Sequence, residues 1–160
     1  MNIAFINPFR ESVLQVLETM ANVQVTPGRP TLKQDAVARG DVTGLIGMTS
    51  EQAHGSLAIS FTKPAILDIT TRMLGDKLND INDTVIDLVG EITNIVTGGA
   101  KRLLSEKGYD FDLAIPAVVA GKGHLINHKA KGAKIIIPFG MSSGNFFVEV
   151  CFQDTSPAKH

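Results

Sequence analysis

The spacing of apolar residues along the first part of the chain predicts one helix and a pair of strands. After Asn7 and Pro8, which are typical of a helix start, apolar side chains recur every three or four positions and predict a helix over about 8–21. Residues 41–48 and 55–61 are rich in apolar and β-branched side chains and are separated by a short polar loop. They predict an antiparallel hairpin.

Two further helices are expected in the middle of the chain. One begins at Pro64 and ends at Leu74, where a glycine follows it. The other is long: Asp80 or Asp83 can cap its start, and it runs to about Lys107 before another glycine.

The last third of the chain has the pattern of strands. Residues 113–120 predict one strand, which Pro116 interrupts, and residues 133–139 and 145–152 predict a second hairpin. The order of helix, strands, two helices and strands predicts an α+β fold, a largely antiparallel β-sheet with helices packed on one face. No linker composition divides residues 1–153, so we expect a single domain, with a flexible polar tail at 154–160.

Composition removes several classes of function. The chain has 160 residues and a net charge of −1, which gives no electrostatic basis for binding nucleic acid or an anionic membrane. No apolar run approaches the roughly 20 residues of a membrane span, and no secretory signal is predicted, so a cytoplasmic location is expected. Cys151 is the single cysteine and is interpreted as a structural thiol in a strand.

The long helix carries an unusual polar stripe, formed by Asp87, Glu91 and Asn94. Their spacing of i, i+4 and i+7 places them within roughly 60° of one another on one helix face. A different face, centred roughly 140° away, collects the apolar side chains expected in the core. These are Val85, Leu88, Val89, Ile92, Val96 and Leu103.

The simplest interpretation of the polar stripe is a solvated helix face, since acids near a helix start favour the macrodipole. Two residues argue for more. Asn94 lies near the helix centre, where asparagine has poor helix propensity and no cap to make. Gly98 follows one turn later on the same face, where bare backbone would let another molecule approach. Gly99 projects toward the core and is expected to serve helix packing.

The pattern Asp-x-x-x-Glu-x-x-Asn on a helix, followed by a downstream proline, resembles the signature of the CheC/CheX/FliY phosphatases of bacterial chemotaxis. The matching positions are Asp87, Glu91, Asn94 and Pro116, with 21 residues between the last two. The Asn-Pro-Phe opening at 7–9, the element order and the length resemble the CheX branch and cover nearly the whole chain. Only one copy of the motif is present, as in CheX-like members.

The resemblance implies a phosphatase that removes the aspartyl phosphate of a CheY-type response regulator. Asn94 would position the attacking water and Glu91 would contact a lysine of the regulator, while Asp87, Gly98 and Pro116 would have supporting roles. It also implies no cofactor in this chain, Mg²⁺ on the regulator, and a homodimer. The alternatives are a non-catalytic module of the same fold that binds a receiver domain or the flagellar switch, and an unrelated α+β domain.

The remaining polar residues suggest no second site. His124 and His128 are four apart, but the glycines around them predict a loop, so they are not expected to share a helix face or bind a metal. His54 is expected in a hairpin turn. The lysines at 122–134 are interpreted as a solvated loop, with a secondary role in meeting an acidic partner left open.

Overall fold

A computed structural model describes residues 3–154. Within that range the helices are α1 (Ile3–Met20), α2 (Lys63–Leu74) and α3 (Asp83–Ser105). The strands are β1 (Thr26–Pro27), β2 (Thr31–Leu32), β3 (Val42–Thr49), β4 (Ala53–Phe61), β5 (Asp112–Leu113), β6 (Ala117–Ala120), β7 (Lys134–Gly140) and β8 (Asn145–Asp154).

The strands form one antiparallel sheet in the order β1-β7-β8-β4-β3-β5, with β2 also paired to β7 and β6 to β3. The predicted hairpins are β3–β4 and β7–β8, and the first runs in register from Val42 opposite Phe61 to Thr49 opposite His54. The α+β prediction is therefore confirmed.

The two faces of the sheet are covered differently. Alternate side chains of β4, such as Leu57 and Ile59, join the main core together with apolar residues of all three helices. The opposite face carries a small second cluster that includes Ala58 and Ile126, beneath the loop segments around 33–39 and 121–132. The polar stripe therefore belongs to a helix on the thick, helical side of the molecule.

The first helix begins earlier than predicted, and Pro8 lies inside it. An interior proline removes one backbone hydrogen bond and costs about 3 kcal/mol. Phe5 and Ile6 are buried, and the ring of Phe5 stacks on that of Phe152 with their centroids 4.7 Å apart. Burial of two such side chains contributes about 1.5–3 kcal/mol each, which offsets the proline.

Other boundaries differ for local reasons. Neither Asp80 nor Asp83 caps α3; the side chain of Asn82 does so by accepting a hydrogen bond from Val85 N at 3.1 Å. The strand expected over 113–120 is two strands, β5 and β6, separated by residues 114–116.

The main-core position expected for Leu103 belongs to Leu104, which is fully buried, whereas Leu103 is half-buried. His54 lies within β4 and not in a turn. Asp154 still pairs with Ala53 in β8, and the rest of the predicted tail lies outside the described residues. The single domain over 1–153 stays a prediction.

Candidate functional site

The buried face of α3 packs closely on both the sheet and α1, which fixes the position of the helix. A Cβ on Gly44 of β3 would fall 1.9 Å from Thr93 Oγ1, so only glycine lets the helix lie this near the strand. A Cβ on Gly99 would fall 2.3 Å from Ser12 Oγ, and Ser12 donates to Val96 O at 2.6 Å. Gly99 thus serves helix packing, as expected.

The polar stripe faces solvent. Asp87, Glu91 and Asn94 are exposed, whereas the intervening Ile92 and Thr93 are buried. Within residues 3–154, none of the three stripe residues makes a side-chain hydrogen bond or an ion pair. Their polar atoms are therefore free to meet another molecule.

The three residues of the polar stripe contribute little to the stability of the helix. Asp87 and Glu91 are like charges at i and i+4, a pairing that destabilises a helix by about 0.2–0.5 kcal/mol when no cation intervenes. Asn94 makes no cap and has poor propensity in mid-helix. Stability does not explain these residue types, which favours a role in recognition or chemistry.

Gly98 lies on an open part of the helix surface, whereas Pro116 lies in the chain next to a neighbouring strand. A Cβ added to Gly98 would have no heavy atom within 4 Å, so the helix surface one turn past Asn94 is open. Pro116 is half-buried and directly precedes β6. That strand lies beside α3, since a Cβ on Gly90 would sit 3.4 Å from Val118 Cγ2. Pro116 thus lies at the start of the strand next to the helix.

His124 and His128 make their contacts on the opposite face of the sheet from the helices. His128 Nδ1 lies 2.5 Å from Ser56 Oγ, and its Nε2 lies 3.1 Å from Glu149 Oε1. Lys33 Nζ donates to Glu149 Oε2 at 2.5 Å, and both side chains are buried. His124 contacts Thr43 Oγ1 at 2.6 Å. This network ties loop segments to the sheet.

The buried Lys33–Glu149 pair has no counterpart among the sequence predictions. Burial alone would raise the pKa of Glu149, but hydrogen bonds from His128 and Lys33 outweigh it and lower that pKa below its ordinary value. In the sequence, Glu149 stands between two valines of a predicted strand, and this position was the available sign that its carboxylate is buried. The partner could not be found because Lys33 is 116 positions away.

Among residues 3–154 no group of three or more His, Cys, Asp or Glu is arranged to hold a metal ion. Cys151 is buried, and burial raises the pKa of its thiol, consistent with a structural role.

A cavity of about 510 Å³, lined largely by small and apolar side chains of β3, β4 and the 112–117 and 127–130 segments, includes no stripe residue. The stripe is an exposed surface of a helix and is not part of this cavity.

Comparison with known proteins identifies similar chains. The family described as Chemotaxis phosphatase CheX matches residues 42–140, a range that contains the stripe and Pro116. The CheY-P phosphatase CheX of Thermotoga maritima is 24% identical over 148 residues, which are 92% of this chain and 94% of that protein.

Solved structures share the fold over almost the full length. The crystal structure of a CheC-like superfamily protein from Shewanella sp. PV-4 is 56% identical, with a TM-score of 0.90 and coverage of 96% of this chain and 99% of that one. The crystal structure of the CheX-CheY-BeF3-Mg²⁺ complex from Borrelia burgdorferi gives 24% identity, a TM-score of 0.81 and coverage of 95% and 99%. At that identity the second match shows the fold alone. Within the described residues, no helix is both long and apolar enough to cross a membrane.

Proposed function

Because this chain belongs to the chemotaxis phosphatase CheX family, we propose that it hydrolyses the aspartyl phosphate of a CheY-type response regulator. The observation that carries the proposal is the pair Glu91 and Asn94, exposed on one face of α3 and without partners among the described residues. The family assignment supports phosphatase activity; the roles of individual residues are part of the proposal.

In this proposal Asn94 holds the attacking water. The amide carbonyl accepts a hydrogen bond from the water, and the uncharged side chain adds no negative charge beside the phosphoryl group. The water oxygen bonds to phosphorus as the bond between phosphorus and the regulator's aspartate oxygen breaks. The products are inorganic phosphate and the free carboxylate. The transition state of such a transfer is loose, so positioning supplies most of the catalysis.

Glu91 places Asn94 by pairing with a lysine of the regulator's active site. It lies three residues before Asn94, about 4.5 Å along the helix axis and roughly 60° around it. A charge-assisted hydrogen bond at this point is worth about 1.5–3 kcal/mol and fixes the distance from the partner's lysine to the water. Mg²⁺ is expected in the regulator's site, and no cofactor is assigned to this chain.

The supporting residues act through access and shape. Gly98 provides clearance for the regulator beside Asn94, since a side chain there would project into open space. Asp87 extends the same surface and is proposed to contact the partner. Pro116 shapes the strand next to α3 and is not proposed to touch substrate.

The relatives favour the same partner. One carries the name CheY-P phosphatase, and one solved structure is a complex of CheX with CheY. We extend that partner to this chain, together with a cytoplasmic location and a homodimer of the kind that the resemblance implies. The alternative is a module of this fold that binds a receiver domain or flagellar component without hydrolysing the phosphate.

The deciding experiment follows loss of phosphate from a phosphorylated CheY-type receiver domain. Wild-type protein is expected to accelerate it, Asn94→Ala to lower the rate about 100-fold or more, and Glu91→Ala to weaken binding about tenfold or more. Asn79→Ala and Glu18→Ala change the same residue types at exposed positions elsewhere and should have no effect. Binding of the receiver without acceleration would favour the non-catalytic alternative.

A further inference from the structure

Lys101 lies on the same line of α3 as Asn94, two turns closer to the C-terminus. A separation of seven residues corresponds to about 10.5 Å along the axis and about 20° around it. Lys101 is partly exposed, and within residues 3–154 its ammonium group forms no ion pair. The adjacent Arg102, by contrast, pairs with Glu106 at 3.5 Å.

The outward face of α3 is therefore polarised along its length. Asp87 and Glu91 place acids at one end, followed by the neutral Asn94 and the open position at Gly98. At the other end lies the cation of Lys101, which has no ion pair within the described part of the chain. A basic residue near a helix C-terminus favours the macrodipole by about 0.3–1 kcal/mol. That effect is independent of azimuth and does not require alignment with Asn94.

Resting on the function proposed above, we propose that Lys101 binds a carboxylate on the receiver domain at the rim of its phosphorylated pocket. Glu91 would meet a cation and Lys101 an anion of the same partner, about 15 Å apart along the helix axis. A partner docked in the reverse direction would bring like charges together at both ends, which is unfavourable. The two charges thus specify the docking direction.

The spacing assigns Lys101 to binding and not to chemistry. The phosphorus must lie close to the water held by Asn94, whereas the backbone of Lys101 lies about 10.5 Å further along the helix axis. Between them Gly98 leaves the backbone uncovered, so the partner's surface can reach the helix and place its acidic group near the lysine. An electrostatic contact at the rim affects the association rate and its salt dependence.

The test compares Lys101→Glu with Lys122→Glu. Lys122 is exposed in the loop that follows β6, next to Gly121, whose N–H donates to Asp41 O at 2.9 Å. Its substitution by glutamate changes the net charge of the chain from −1 to −3, just as Lys101→Glu does. Equilibrium binding is measured to a CheY-type receiver domain carrying beryllium fluoride and Mg²⁺, which keeps the readout independent of hydrolysis. The kcat and KM for the phosphorylated receiver are measured in parallel.

Lys101→Glu is expected to weaken binding and raise KM about tenfold at low salt, with less effect at high salt and with kcat within twofold of wild type. Lys101→Gln should give an intermediate loss, and Lys122→Glu almost none. Equal effects of Lys101→Glu and Lys122→Glu would overturn the assignment, as would a fall in kcat at unchanged KM. If the wild type binds the receiver but does not hydrolyse its phosphate, the proposed activity fails while the binding comparison still decides the role of Lys101.

Discussion

At the scale of single residues, neighbours in α3 have opposite surroundings. Thr93 is buried against β3 and donates to Val89 O at 2.7 Å, while Asn94 faces solvent without a partner among the described residues. A helix period of 3.6 separates them by about 100°, which is why the exposure of the stripe could be predicted from spacing. The partner of Glu149 could not, since no local pattern links it to a lysine 116 positions away.

Two substitutions of Gly98 separate its effect on stability from its effect on partner binding. Gly98→Ala should raise the free energy of unfolding by up to about 1 kcal/mol, because a mid-helix glycine is replaced where nothing lies within 4 Å. Gly98→Leu should leave the fold intact but slow dephosphorylation by blocking the partner's approach. Denaturant unfolding and turnover measure the two effects. Full activity of Gly98→Leu would remove the clearance role.

The buried ion pair predicts a large effect of removing one partner. Lys33→Met leaves the Glu149 carboxylate buried without its cation and should lower the free energy of unfolding by about 3–5 kcal/mol. Lys63→Met breaks an exposed pair with Asp80 and should destabilise the protein far less, because solvent screens that pair. Urea denaturation compares them, and similar losses in the two variants would show that the network contributes little.

At the scale of elements, the existence and type of the three helices and the longer strands could be predicted, whereas their boundaries depended on tertiary contacts. The two-residue strands β1 and β2 were not predicted. The hairpins and α2 lie close to their predicted ranges because alternation and glycine signals are local. The early start of α1 depends on Phe5 stacking on Phe152, at the far end of the chain. The division of 113–120 into β5 and β6 depends on how each segment pairs with β3.

The height of α3 above the sheet is set at Gly44. Gly44→Ala should destabilise the protein by about 1–3 kcal/mol, because the new methyl group would overlap Thr93 Oγ1 and displace the helix. Gly47→Ala on the same strand is the matched control, since its Cβ would have no heavy atom nearer than 3.7 Å. Thermal unfolding of both variants checks this, and equal melting temperatures would contradict it.

At the scale of the whole molecule, one face of the sheet carries the helices and the other is held by a buried polar network. The fold class could be predicted from element order, and the motif indicated the position of the polar stripe. The loops over the second face could not be placed, since they have no periodic pattern. Their attachment through Lys33, His128 and Glu149 appears only when the sheet is assembled.

This network makes stability depend on pH in the acid range. Since hydrogen bonds from His128 and Lys33 lower the pKa of Glu149 despite its burial, the folded state favours the carboxylate. Its contribution is fully present above the ordinary pKa of about 4.5 and is lost as pH falls through the lower folded value. Glu149→Gln should be less stable near neutrality and should lose less stability on acidification. Melting temperatures from pH 7 to pH 3 measure this; parallel profiles would contradict it.

The most direct test of the central claim is a single-turnover measurement with the enzyme in saturating excess over a phosphorylated receiver domain. Under these conditions binding is complete, so the rate of phosphate loss reports the chemical step alone. Asn94→Ala is predicted to bind the receiver normally and to return the rate to the receiver's own slow hydrolysis. A saturated Asn94→Ala complex that releases phosphate as fast as the wild type would contradict the assignment of catalysis to this residue.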